Sequence, residues 1–247
     1  MRLTVLGGCG AWPEAGAACS GFLVEHDGFR LVVDLGYATM PRLTAHVSAS
    51  RVDAVYLSHG HPDHCADLNP LLRARALGED RLESLPVYCP PGAADAVLAL
   101  DAPGMLEAAY EVRSFEPGAE LGIGPFRART RLLPHWLPNA GVRLQAGGAS
   151  LVYTGDAGPD AALVELGRGA DLLVAEATYI DDVPADSRGL LCDARTAGRQ
   201  AAAAGVRGLM LTHLWPGDDP DAVARAAAAE YAGPIQVARP GVTVDLA

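Results

Sequence analysis

Lysine is absent from this 247-residue chain: all 19 basic residues are arginine, against 30 acidic ones, and the formal charge is −11. A surface of that sign does not gather nucleic acid or an anionic membrane by bulk electrostatics. It leaves an anionic small substrate open, because a bound cation reverses the field locally. Cysteine is sparse. Cys9, Cys19, Cys65, Cys89 and Cys192 are odd in number and form no C-x-x-C pair. That argues against a disulfide framework and suits a reducing compartment. No apolar run approaches the length of a membrane span, and the short one in MRLTVLGGCG falls below a signal-peptide core. The expectation is a soluble cytoplasmic protein. Hydrophobic residues make up 50% of the chain, enough for a sizeable core. Neither a linker nor a low-complexity stretch interrupts it, so a single domain over residues 1–247 is expected.

What is present is a repeated mixture of strand and helix signals. Leu3–Leu6 reads as a short strand ending in GGCGA. Gly21–His26 and Phe29–Asp34 flank Asp27-Gly28, a strong hairpin signal. Asp53–Leu57 is a strand, Asp63–Ala76 a helix with Leu68, Leu71 and Leu72 on one face, and Pro91–Leu100 a second helix after the strand Pro86–Cys89. The second half repeats the order. Strands at Phe126–Leu133, Gly141–Gln145 and Ser150–Tyr153 precede helices at Pro159–Leu166, Arg195–Ala204 and Pro220–Tyr231. The strands Asp171–Ala175, Leu209–Thr212 and Ile235–Ala238 fall between and after these helices. Two β-then-α halves, rather than a strict βαβ alternation, predict two sheets packed face to face with helices outside, an α/β (α+β) sandwich.

Three of the seven histidines and an aspartate fall within SHGHPDHCAD: His59, His61, Asp63 and His64. In an extended segment residues two apart point the same way, so His59 and His61 present their rings to one side. Pro62 stops the strand, and Asp63 and His64 open the next helix. Imidazole and carboxylate donors suit zinc and related divalent ions and leave a position for water. A helix cap with solvent-facing histidines would need fewer of them. Three further candidates follow apolar runs: His135, Asp156 in TGD, and His213 in LTH. They complete a count for two ions, with His59, His61 and His135 on one, Asp63, His64 and His213 on the other, and Asp156 between. A hydroxide held by such a pair is a nucleophile. His26 and His46 have no comparable setting.

These residues resemble the metallo-β-lactamase superfamily. Its H-x-H-x-D-H signature stands here as His59-Gly60-His61-Pro62-Asp63-His64, and the later His, Asp and His match His135, Asp156 and His213 in order. The resemblance runs from VLGGCG to LTHLWP. It implies an αββα sandwich, two packed mixed β-sheets with helices on the outer faces, and two divalent metal ions, zinc foremost, with manganese or iron accepted by the same donors. The stretches SHGHPDH, LVYTGD, LLVAEATY, TAGRQAAAAGV and LMLTHLWP are similar to the RNase Z group. They are more similar still to small actinobacterial proteins described as atypical class II cyclic-nucleotide phosphodiesterases. In the RNase Z-like pattern a histidine before the helix containing Ala197-Gly198 pairs with the glutamate of A-x-E-A-T. Glu176 keeps the glutamate, and Leu191 stands at the histidine position.

The expected activity is metal-dependent hydrolysis of a small phosphodiester such as a cyclic nucleotide, with Asp63 and Glu176 as catalytic candidates and Asn139 and Trp215 as substrate-binding candidates. An ester, lactone or thioester hydrolase with the same hydroxide is the alternative. RNase Z-type tRNA processing and a metal-binding protein without turnover rank below both. The expected partner is a small-molecule substrate, with neither a membrane nor nucleic acid, and a homodimer is the default assembly.

Overall fold

The structure is a computed structural model and describes residues 1–78 and 82–247. The described residues form two compact units: Arg2–Glu116 with Arg239–Val244, and Pro117–Ala238 with Met1 and Asp245–Ala247. Each is built on a mixed sheet.

In the N-terminal unit, β1 (Arg2–Gly7), β2 (Gly21–His26) and β3 (Phe29–Leu35) form an antiparallel meander. The parallel strands β4 (Ala54–Tyr56), β5 (Leu85–Cys89) and β6 (Tyr110–Ser114) extend it. Helices α1 (Thr39–Thr44), α2 (Pro62–Cys65), α3 (Leu68–Leu77) and α4 (Asp95–Leu98) lie in the connections. Leu43 of α1 and Leu68, Leu71 and Leu72 of α3 pack with Val32 of β3 and Val55 of β4 in one apolar cluster. Alternate strand residues such as Phe22, Val24, Leu31 and Val33 are also buried, so β2 and β3 are buried on both faces.

The C-terminal unit follows the same order. Strands β7 (Glu120–Ile123), β8 (Phe126–Leu133), β9 (Asn139–Ala146) and β10 (Ala149–Tyr153) are antiparallel. They continue into parallel β11 (Leu172–Glu176), β12 (Leu209–Thr212) and β13 (Ile235–Val237). Helices α5 (Ala161–Gly167), α6 (Ala194–Ala204) and α7 (Pro220–Ala228) pack on it through Leu163, Ala201 and Val223 against Val152, Leu173 and Leu211. Helix α6 starts where the Asp193 carboxylate accepts the Thr196 N–H at 2.7 Å, and ends at Gly205 with φ 63°. The last strand, β14 (Thr243–Asp245), lies beside β1 at the edge of the first sheet.

Two helices differ most from the sequence expectation, while α7 ends three residues early and α1 was not expected. The helix predicted over Asp63–Ala76 is two helices, α2 and α3. The Asp67 N–H donates to the Leu35 carbonyl at 2.8 Å instead of the carbonyl one turn back, and its carboxylate accepts the Met40 N–H at 2.7 Å. The helix predicted over Pro91–Leu100 is confined to Asp95–Leu98, because Gly92 turns at φ 78°. Strand β6 escapes the apolar pattern because four of its five side chains are exposed; backbone pairing to β5 defines it. No helix of the described residues is long and apolar enough to cross a membrane.

Candidate metal centre

The N-terminal unit places one group of candidate donors at the end of β4. His61 is the last extended residue, at φ −69° and ψ 142°, and Pro62 opens α2 where its missing N–H costs nothing. The extended pair meets as the spacing predicts: His59 Nε2 lies 3.1 Å from His61 Nδ1. Gly60 between them has no room for a side chain, since a Cβ there would sit 3.0 Å from the Ala93 carbonyl. On α2, Asp63 Oδ2 lies 3.6 Å from His64 Nε2 and accepts the Ala11 N–H at 2.8 Å.

What holds these rings is Asp34, at the end of β3. It is fully buried and adopts φ 56°, the left-handed region that most side chains avoid. Its carboxylate accepts the Ser58 N–H, the Ser58 hydroxyl and His64 Nδ1–H, each at 2.7 Å. Because the Ser58 hydroxyl donates to Asp34, its oxygen accepts His59 Nδ1–H at 3.0 Å. Both rings therefore carry their proton on Nδ1 and offer a bare Nε2, the tautomer of a metal-ligating histidine backed by a carboxylate.

The C-terminal unit repeats the device. His135 follows Leu133 and Pro134 at the end of β8, and its Nδ1–H donates to the Leu190 carbonyl at 3.1 Å. His213 follows β12 with φ 60°, a second strained residue. Its Nδ1–H donates to the Thr178 hydroxyl at 2.8 Å, and that hydroxyl donates to Glu176 Oε2 at 2.6 Å. His213–Thr178–Glu176 thus mirrors His59–Ser58–Asp34. Asp156 Oδ2 stands 3.1 Å from His213 Nε2 and 3.8 Å from His135 Nε2.

Glu176 is enclosed. Besides Thr178 Oγ1–H it accepts the N–H groups of Thr178 (3.0 Å), Cys192 (2.7 Å) and Ala157 (3.3 Å). Burial, then the charge of Asp156, pushes its carboxyl up to about 7, with His213 and Thr178 opposing. Four donors and no acceptor around it suit the ionised form above that pH. In the structure Glu176 reaches His213 only through Thr178, so its place is that of a positioning residue.

Asn139, expected to hydrogen-bond a substrate, is fully buried at the start of β9. Its amide donates to the carbonyls of Thr154 (2.9 Å) and Asp156 (2.6 Å), which shapes the turn that carries Asp156. Trp215 is half-buried, edge-on to Tyr179 at a centroid distance of 6.1 Å. Leu191 is buried. Sequence reasoning passed over Asp34, Ser58 and Thr178. A carboxylate closing the apolar run LVVD was the available signal for Asp34; the other two look like ordinary strand-end hydroxyls.

The donors in each unit, imidazole nitrogens with His59, His64, His135 and His213 held through Nδ1, and carboxylate oxygens beside them, fit a divalent cation. Residues 19–214 match the beta-lactamase superfamily domain. The chain belongs to the metallo-β-lactamase superfamily. It is 31% identical to the probable metallo-hydrolase YhfI of Bacillus subtilis over 98% of both chains. It matches the crystal structure of YhfI with a TM-score of 0.89 over 98% of each chain, at 30% identity. It is also 33% identical to a ribonuclease Z of Kineococcus radiotolerans, over 96% of this chain and 91% of that one. The metallo-β-lactamase fold, of the α/β class with two mixed sheets and helices, and a metal-dependent hydrolase are therefore established for this chain.

Proposed function

We propose that this superfamily member is a dinuclear phosphodiesterase acting on a small phosphodiester such as a cyclic nucleotide. The observation that carries the reading is Asp156, one of whose carboxylate oxygens stands beside two independently pinned imidazole nitrogens, where it could serve two ions. In this reading His59, His61 and His135 would hold one ion and Asp63, His64 and His213 the other, with Asp156 serving both. Nitrogen and oxygen donors favour zinc, with manganese or iron as alternatives. Two such ions, when bound, supply a hydroxide near neutral pH and withdraw charge from the phosphoryl oxygens.

The remaining steps belong to the chain. Asp34 and Glu176 keep Nε2 of His59, His64 and His213 unprotonated, directly or through Ser58 and Thr178. Asp63 accepts the Ala11 N–H at Oδ2, and as a positioned carboxylate it is suited to receive or orient a proton of the attacking water. Similarity to a ribonuclease supports a phosphodiester over other bonds. The test is hydrolysis of bis(p-nitrophenyl) phosphate and 3′,5′-cyclic nucleotides by zinc- or manganese-loaded protein. Asp156→Ala is expected to abolish it, and activity that survives the substitution sinks the dinuclear reading.

One observation favours a second reading. Leu191 is a buried apolar side chain where the RNase Z-like pattern has a histidine, so the site lacks one cationic partner for phosphate. An ester, lactone or thioester hydrolase needs no such partner. A panel of those substrates against cyclic nucleotides separates the two.

A further inference from the structure

A groove of about 460 Å³ is lined by residues 132–138 and Asp160, and so runs past His135, whose ring is itself buried. Three of its side chains are large, apolar and exposed to water: Leu132 at 59%, Trp136 at 51% and Leu137 at 38%. Single exposed apolar residues are ordinary, but a contiguous set beside a candidate metal ligand is not. Trp136 is not loose. Its ring stands edge-on to the His135 ring, 5.1 Å between centroids, and His135 is itself anchored to the Leu190 carbonyl. Pro134 and Pro138 restrict the backbone at both ends of the segment. The indole is therefore held at a fixed place next to the ring that the metal reading assigns as a ligand. The only charged side chain among the described residues lining the groove is acidic, Asp160, whose Oδ1 already accepts the Ala162 N–H at 2.6 Å. Such a groove repels a second phosphate and accepts a neutral ring.

We propose that Trp136 is a specificity-determining residue that stacks the nucleobase of a mononucleotide substrate, so that the groove after β8 holds the base while the phosphodiester sits at the metal centre. This rests on the phosphodiesterase reading above. The volume is in the range of small-ligand pockets and suits one nucleoside better than a polynucleotide. Stacking of a base on an aromatic side chain is sensitive to alanine substitution and tolerant of base identity, so purine and pyrimidine nucleotides should both use it.

The test separates base binding from turnover. Titration calorimetry compares adenosine 5′-monophosphate with ribose 5-phosphate on the zinc-loaded protein, on Trp136→Ala and on Trp136→Phe. The nucleotide is expected to bind about tenfold more tightly than the sugar phosphate to the unsubstituted protein. That ratio should fall to about one in Trp136→Ala and persist in Trp136→Phe. Equal affinities in the unsubstituted protein, no nucleotide binding, or a ratio unchanged in Trp136→Ala would overturn the assignment. Absence of cyclic-nucleotide hydrolysis alongside a Trp136-dependent ratio would instead count against the phosphodiesterase reading and leave the base site standing.

Discussion

Replacing Asp34 by asparagine probes how far the metal centre depends on a residue that is not a ligand. The change keeps the shape, and asparagine tolerates the left-handed backbone at φ 56°. It reverses one hydrogen-bonding edge. Asp34 Oδ1 accepts the Ser58 N–H, and the asparagine oxygen can continue to do so. Asp34 Oδ2 accepts both the Ser58 hydroxyl and His64 Nδ1–H, and there the amide would place two donors against two donors. The least costly relief is for His64 to move its proton to Nε2, with Nδ1 accepting from the amide. That removes the lone pair which would meet the metal, and the Ser58 link to His59 is disturbed as well. Loss of an outer partner of this kind costs about 10- to 100-fold in metal affinity, or about 1.4–2.7 kcal/mol. Zinc titration against a competing chelator should show the weakening, largest at the ion assigned to His64, while circular dichroism shows an intact fold. Two ions bound with unchanged affinity in Asp34→Asn would refute the tautomer argument.

Gly36→Ala should lower stability sharply. A Cβ at that position would sit 1.8 Å from the Asp63 carbonyl oxygen, so backbone rather than a side chain must move. A loss of at least about 1–3 kcal/mol in urea unfolding is expected, and a midpoint equal to that of the unsubstituted protein would contradict the packing described for α2. Glu176 predicts a pH dependence of the metal-free protein. Its folded carboxyl lies near 7 against an ordinary 4.5, so its contribution is fully present below about pH 4.5 and is lost as the pH rises to about 7. Urea midpoints across that window should fall less steeply in Glu176→Gln; parallel profiles would remove Glu176 as the source.

The local sequence determined the arrangement that depends on neighbours along the chain. His59 and His61 converge because an extended backbone repeats every two residues, and Pro62 follows because a proline is tolerated at the first helical position. Asp27-Gly28 turned the β2–β3 hairpin for the same local reason, and the β-then-α order of both halves was legible from apolar runs and turn residues. Tertiary structure decided what crosses large sequence separations. Asp34 is 30 positions from His64, and Leu190 is 55 from His135, so no periodicity links them. The break between α2 and α3 has the same origin, because the Asp67 N–H found the Leu35 carbonyl of a neighbouring strand. Asn139 shows the limit most plainly. Its amide carries the same two donors in a substrate pocket as in a buried turn, and only the nearness of the Thr154 and Asp156 carbonyls assigned it to the turn. Side-chain chemistry is written residue by residue, but its hydrogen-bond partners are chosen by which backbones the fold brings together.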